Sequence, residues 1–176
     1  MTQAYDLVII GAGPAGFAAA LEGAELGLSI ALVEKGDLGG TCLNWGCIPT
    51  KLLLGATNAL PELTAQAKLK LLESDVAEVR FNLANLHQRK ERFIAGTRQA
   101  MAKQLKQAGI TLLTGQAGFT GPGLLKVTGE QEQEISFKSA ILSTGSRPAP
   151  LPGMAEDVFN GQVVLPQVGA GVSVVQ

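Results

Sequence analysis

Sulfur and histidine are scarce in this chain of 176 residues, which has two cysteines and one histidine. A structural zinc centre wants four ligands, and the two thiols with His87 leave it short unless carboxylates join. Small secreted scaffolds rely on several disulfides, so the same count argues against that class. Charge of one sign is missing too: 14 basic against 15 acidic residues leave a net charge of −1. Such a balance gives no electrostatic reason to expect nucleic acid or an anionic membrane as partner. The basic run Arg89-Lys90-Glu91-Arg92 reads as a solvated helix face, and His87 beside it as a solvated helix residue. No apolar stretch approaches the roughly 20 residues of a membrane span, and Met1-Thr2-Gln3-Ala4-Tyr5-Asp6 lacks the basic start of a leader. A cytoplasmic location with no membrane contact is the expectation. No repeat of solenoid period occurs, so the chain is expected to form one domain with a sizeable core, for which 46% apolar residues is an ordinary share.

What is present is concentrated near the start. Ala4 to Ile10 is a short β-branched run that predicts a strand buried on both faces. Gly11-Ala12-Gly13-Pro14-Ala15-Gly16 follows at once. In a dinucleotide-binding turn the first glycine makes the tight turn, the second admits a pyrophosphate, and the third lets helix and strand approach. Pro14 suits the first helical turn, where its missing N–H is harmless. The helix predicted from there runs to about Leu26, and Gly27 suits its end. Its N-terminus offers unpaired N–H groups and a positive dipole end to an anion. A second strand, Ser29 to Val33, ends in Glu34, where the carboxylate of such a unit accepts hydrogen bonds from a ribose. Read one by one, the glycines are ordinary turn and packing residues. Strand, glycines, helix, strand and acid in that order argue for a bound dinucleotide.

Both cysteines fall in the next segment, Gly39-Gly40-Thr41-Cys42-Leu43-Asn44-Trp45-Gly46-Cys47-Ile48-Pro49-Thr50-Lys51. In a regular helix residues five apart have Cα atoms about 8.5 Å apart, beyond the ~7 Å reach of a disulfide. A bridge therefore needs a bend, for which Gly46 and the helix breaker Pro49 are the candidates. A bridge over so short a loop stabilises little through chain entropy, which points away from a staple and toward a labile, catalytic bond. Metal binding and a pair of inert core thiols are the competing readings. Lys51, four residues after Cys47 and on the same helical face, is either a solvated lysine or a cation that favours a thiolate.

These motifs carry a resemblance. Over residues 4 to 153 the chain resembles the N-terminal part of the FAD-dependent pyridine nucleotide-disulfide oxidoreductases. Leu43-Asn44 and Ile48-Pro49-Thr50-Lys51 are similar to the dihydrolipoyl dehydrogenase branch, whereas glutathione and mercuric reductases have Val where Leu43 stands. Trp45 stands at a position that varies. The resemblance implies FAD at the first site, with Gly11, Gly13, Pro14, Ala15 and Gly16 at the pyrophosphate, Glu34 at the adenosine ribose and Lys35 beside it. Gly39, Gly40, Thr41 and Cys42 would lie along the cofactor, and Lys51 would direct its charge at the flavin. Cys47 would be the thiol next to the flavin and Cys42 the interchange thiol that meets the substrate. Gly115-Gln116-Ala117-Gly118-Phe119 resembles a strand exit that touches the adenine through Ala117. Thr144 and Gly145, in Ile141-Leu142-Ser143-Thr144-Gly145-Ser146-Arg147-Pro148, resemble a strand end under the FAD.

The implied fold is α/β: a three-layer, Rossmann-like FAD/NAD(P)-binding domain with a parallel sheet and an antiparallel β-meander, truncated. Its remaining elements are expected as two helical pieces between Leu52 and Leu72, interrupted at Pro61, and a long helix from Asn82 to Gln107 with Asn82 as cap and Gly109 at its end. Leu83, Leu86, Phe93, Ile94, Met101 and Leu105 are its apolar positions. Strands are expected at Ile110–Thr114, Leu124–Thr128, Glu134–Lys138 and Ala140–Ser143. Residues 1–153 read as the FAD-binding domain and 154–176 as a tail. In that tail Val168-Gly169-Ala170-Gly171-Val172-Ser173 resembles the opening of an NAD-binding domain, with Val174 in place of its third glycine. By resemblance the parent enzyme is a homodimer of 2-oxo acid dehydrogenase complexes. It would pass electrons from dihydrolipoamide, or another small dithiol or disulfide substrate, through Cys42–Cys47 to FAD and on to NAD bound outside this chain. The alternatives are a noncatalytic FAD-binding fragment and a reductase of the glutathione or mercuric type. The fragment alone is expected to be inactive.

Overall fold

The computed structural model describes residues 2–73, 76, 79–129 and 132–146. Strand β1 (Gln3–Ile10) leads through the glycine turn into helix α1 (Pro14–Glu25) and back to β2 (Ile30–Glu34). The short α2 (Gly40–Asn44), α3 (Cys47–Thr57), α4 (Ala59–Lys68) and the long α5 (Leu83–Gln107) follow. Strands β3 (Thr111–Thr114), β4 (Gln116–Gly121), β5 (Leu124–Thr128) and β6 (Gln133–Leu142) complete the described elements. The chain divides into a compact unit ending at Ser143 and a second unit from Thr144, of which residues 144–146 are described.

The six strands form one sheet in the order β3-β2-β1-β6-β5-β4. β3, β2, β1 and β6 are parallel, while β6, β5 and β4 form an antiparallel meander. β3 and β4 stand at opposite ends of that order although only Gly115 separates them in sequence. The sheet must therefore curl, and the meander lies over one face of its parallel part. Two clusters of buried side chains record the resulting layers. Leu7, Ile9, Ile30 and Leu32 meet Ala20 of α1 and Leu105 of α5 on one face. Val8, Ala31 and Val33 meet Leu125, Val127 and Ile135 of the meander on the other. Alternate residues of β1 and β2 thus serve opposite cores, which is why both strands read as unbroken apolar runs. At the curl, backbone crosses backbone: a Cβ on Gly115 would come within 2.7 Å of the Thr128 carbonyl oxygen, and one on Gly129 would strike that of Thr114.

Most expected elements lie where the pattern put them. Asn82 caps α5, its side chain accepting from the Asn85 N–H at 3.0 Å, and Gly109 follows the helix. Four expectations need correction. Glu134–Lys138 and Ala140–Ser143 are one strand, because Ser139 keeps its place in the ladder opposite Leu7. The break between α3 and α4 falls at Asn58 rather than Pro61. Pro61 is the third residue of α4, where no intrahelical donor is needed. Lys90 is buried rather than solvated, one turn before the core residue Ile94 on α5, and pairs with Glu91 at 2.9 Å. Leu83 and Phe93 of the same helix are exposed.

Midway along β1 one carboxylate ties that strand to β6 and to the residue before β2. Asp6 accepts from the Ser29 hydroxyl at 2.6 Å and N–H at 2.9 Å, and from the Lys138 ammonium at 2.6 Å. The Lys138 ammonium, followed by the Ser29 donors, holds the Asp6 carboxyl well below the ordinary carboxylate range, and Asp6 in turn raises Lys138. A depressed carboxyl contributes stability that is present above its unfolded value and lost as pH falls through its folded one. A raised lysine contributes stability that is lost as pH climbs past its folded value. Asp6→Asn should therefore lower the urea midpoint slightly near about pH 7, with the gap from wild type closing below about pH 3 as wild type loses the same charge. A gap that persists unchanged in acid would contradict the assignment.

Candidate functional site

The site is built where β1 stops. The Gly11 N–H donates to the Val33 carbonyl at 2.8 Å, which turns the chain out of the sheet. α1 then begins at Pro14 without a side-chain cap and without an acid in its first turn. The N–H groups of Ala15 and Gly16 therefore face no carboxylate of their own helix, as an anion site requires. A side chain on Gly16 would run into the Gly11 carbonyl oxygen. Gly40 has φ +54°, and a Cβ there would come within 2.8 Å of the Gly13 Cα, so two backbones meet where any side chain would separate them. Gly39 donates to the Ala12 carbonyl at 2.9 Å, fastening the start of α2 to the turn. The result is a cradle of bare backbone at a helix N-terminus, and it fits a pyrophosphate.

Glu34 closes the other side. One carboxylate oxygen accepts the Ala12 N–H at 2.7 Å and the other the Gly36 N–H at 2.9 Å, so the side chain is held at the turn. Lys35 next to it is exposed. The Gly115 N–H donates to the Glu34 carbonyl at 2.9 Å, which brings the start of β4 beside the same corner. Ala117, two residues further, is half-buried against the meander core. The residues matched to ribose and adenine are thus joined by one backbone bond and one short strand. Thr144 and Gly145 belong to the second unit. Arg147, Pro148 and the tail motif Val168 to Ser173 lie outside the described residues.

Cys42 sits in the middle of α2 and Cys47 at the first position of α3. The bend between them lies at Trp45 and Gly46, whose N–H groups both turn back to the Thr41 carbonyl, at 2.9 and 2.7 Å. Pro49 is not the breaker expected: it is the third residue of α3, inside the first turn, and buried. Both cysteines are free thiols, Cys47 exposed and Cys42 half-buried. The Cys47 thiol beside it, followed by burial, pushes the Cys42 thiol above its ordinary value. The Lys51 ammonium acts in the opposite direction on Cys42, so its charge reaches the pair. Cys47 meanwhile stands at the first position of a helix. Two thiols on so short a bent segment, one exposed and one half-buried, can exchange electrons as a disulfide. Among the described residues no group of three or more metal-ligating side chains occurs, and no helix there is long and apolar enough to cross a membrane.

Three residues escaped the sequence reading. Asn44, 8% exposed, donates its amide to the carbonyls of Gly40 at 2.9 Å and Leu38 at 3.1 Å. Its oxygen accepts from Nε of Arg98 at 2.8 Å, and the same guanidinium reaches Asp37 at 2.8 Å. Arg98 is 54 residues from Asn44 in sequence. The one local signal was a buried-type asparagine between two cysteines, which has no partner within reach of a motif.

Residues 5–172 match the pyridine nucleotide-disulphide oxidoreductase family. Among curated relatives, a dihydrolipoyl dehydrogenase from Trypanosoma brucei brucei is 41% identical over 169 residues, covering 94% of this chain and 34% of the relative. One from Thermus scotoductus is 39% identical over 160 residues, 90% of this chain and 33% of the relative. The chain spans about a third of the length of these relatives. Among solved structures, the HOCl-induced flavoprotein disulfide reductase RclA from Escherichia coli, in its Cu(II) complex, superimposes with a TM-score of 0.70 at 29% identity. That alignment covers 86% of this chain and 31% of the other. Since the family match takes in both the bare-backbone cradle and the paired thiols within one unbroken stretch, the chain belongs to the pyridine nucleotide-disulphide oxidoreductases.

Proposed function

We propose that this chain is the flavin-binding and thiol-bearing part of a disulfide oxidoreductase of the dihydrolipoyl dehydrogenase type. The observation that carries the reading is the placement of Cys42 in α2 and Cys47 at the start of α3, on a segment fastened to the glycine turn through Gly39 and Gly40. The cradle of Gly11, Gly13, Pro14, Ala15 and Gly16 would hold the FAD pyrophosphate. Glu34 would hold the ribose with Lys35 beside it, and Ala117 would meet the adenine. Gly39, Gly40, Thr41 and Cys42 would run along the cofactor. Bound FAD supplies an acceptor for two electrons and their onward transfer to NAD outside these residues.

The protein's own chemistry is thiol–disulfide exchange. A thiolate of dihydrolipoamide attacks the Cys42 sulfur of the Cys42–Cys47 bridge, the old sulfur–sulfur bond breaks, and Cys47 leaves as a thiolate. The second substrate thiol then displaces Cys42, closing the lipoamide disulfide and returning Cys42 with a proton. Two electrons now reside on the protein pair. The Lys51 ammonium lies near enough to the pair for its charge to favour ionisation of Cys42. The Cys47 thiol beside Cys42, with burial, outweighs that charge and holds the Cys42 thiol above its ordinary value. In the whole protein we place a homodimer, after the family's habit.

A second reading is a flavin-binding module without turnover, since the glycine cradle and the Glu34 corner are built without the thiols. The test is a visible spectrum of the purified protein followed by an assay of NAD reduction by dihydrolipoamide. Flavin absorbance with turnover supports the first reading. Flavin absorbance without turnover, in the longest natural form of the protein, supports the second, and a colourless protein that takes up no FAD contradicts both.

A further inference from the structure

We infer that Arg98 is a positioning residue for the thiol pair, holding the Cys42–Cys47 segment in the geometry that closes its disulfide. The inference rests on the redox reading above and adds to it a residue from a distant part of the chain. α2 has only five residues and no side-chain cap. A helix that short does not persist on its own hydrogen bonds. Something outside it must fix the interval between the cysteines, and Asn44 is the handle. This residue is two positions from Cys42 and three from Cys47, is buried, and ties α2 to the loop after β2 through the Leu38 carbonyl, while its bond to the Gly40 carbonyl braces α2 itself.

Asn44's own oxygen has one partner among the described residues, Nε of Arg98. The neighbouring guanidinium nitrogen engages Asp37, so one planar fork grips both ends of the Asp37–Asn44 loop. Only arginine offers two rigidly spaced donors of this kind. The fork is mounted on a firm base. Arg98 stands one turn beyond Ile94, which is 3% exposed, on a helix of 25 residues whose far end is anchored by the buried Leu105. α5 also packs against α3, which carries Cys47. The two cysteines are therefore held from both sides by the same helix.

The consequence follows from how a dithiol equilibrates with its disulfide. With oxidised glutathione as acceptor, Cys42 and Cys47 lose two electrons and two protons, their sulfurs join, and one glutathione disulfide becomes two glutathione thiols. The equilibrium constant measures how concentrated one thiol is at the other. Freeing Asn44 lets the Gly40–Gly46 segment explore more space and dilutes Cys42 at Cys47. The disulfide should then form less readily.

The test equilibrates the flavin-loaded, full-length protein in glutathione buffers of graded poise, traps free thiols by alkylation and counts them by mass. Arg98→Met should lower the equilibrium constant for bridge formation about tenfold, a shift of about 30 mV toward more oxidising potential. Arg98→Lys, which keeps the charge but not the fork, should fall between. Arg92→Met, an exposed change on the same helix, should leave the constant unaltered. If Arg98 merely supported the fold, its loss would lower the urea midpoints of oxidised and reduced forms alike and leave the constant within about twofold of wild type, and that result overturns the inference. A wild-type protein that never forms the Cys42–Cys47 bridge at any poise would instead overturn the redox reading itself.

Discussion

Cys47→Ser should leave FAD bound while lowering dihydrolipoamide-dependent NAD reduction on the order of a thousandfold or more, as removal of one member of a concerted catalytic unit does. Serine matches cysteine in shape closely enough to keep the exposed first position of α3. It cannot leave as a stable anion or share a reversible bond with Cys42. Without the Cys42–Cys47 bridge the incoming substrate thiolate meets a thiol rather than a disulfide, so the first exchange has no bond to break. The readouts are the flavin absorbance of the purified variant and its steady-state rate. Turnover within about tenfold of wild type would remove the assigned role, because exchange through a serine has no chemical route.

Gly40→Ala should loosen flavin binding by about tenfold or more and lower stability by about 1–3 kcal/mol, the range of a strained or overpacked site. Two independent effects act at this residue. Its φ of +54° is one that an L side chain occupies at a steric penalty. Its Cβ would also stand 2.8 Å from the Gly13 Cα, so α2 and the glycine turn must part. The turn is where N–H groups would be presented to the proposed pyrophosphate, and separating it from α2 would move the thiol pair away from the proposed cofactor as well. Gly16→Ala should be worse for folding, since the atom it meets is the Gly11 carbonyl oxygen, a backbone group that cannot swing aside. Flavin fluorescence titration and urea unfolding separate the two losses. A Gly40→Ala protein that binds FAD as tightly as wild type would mean that this close approach does not shape the cofactor site.

The parts of the molecule visible in the sequence are those whose cause is local. β1, α1 and β2 were readable because an apolar run, spaced glycines and a terminal acid all specify the same unit. α5 was bounded correctly because Asn82 and Gly109 act within one turn of the ends they set. The prolines misled because the same residue breaks a helix interior and is welcome in a first turn; Pro49 and Pro61 both occupy third positions of their helices. Ser139 looked like an interruption of β6, but pairing with β1 decides strand length there, and that partner is distant in sequence. Lys90 was assigned to solvent from its charged neighbours, whereas the inward stripe of α5 is set by what packs on it. The Asn44–Arg98–Asp37 clamp belongs to the same class of feature: its members meet only after the fold has formed.

The curl of the sheet shows how one residue can connect architecture to chemistry. Gly115 takes the chain from the parallel sheet to the meander and at the same step bonds to the Glu34 backbone carbonyl, so the layer that covers the second core begins beside the residue whose carboxylate is proposed for the ribose. Fold and candidate site are continuous there.

The central claim is that Cys42 and Cys47 exchange electrons with a flavin held beside them, and counting electrons tests it most directly. In an anaerobic reductive titration of the flavin-loaded, full-length protein, a redox-active pair adds its two electrons to the two of the flavin. The account predicts an uptake of about four electrons per flavin in the wild type and about two in Cys47→Ser. An uptake of about two electrons in the wild type, with both thiols free before any reductant is added, would contradict it.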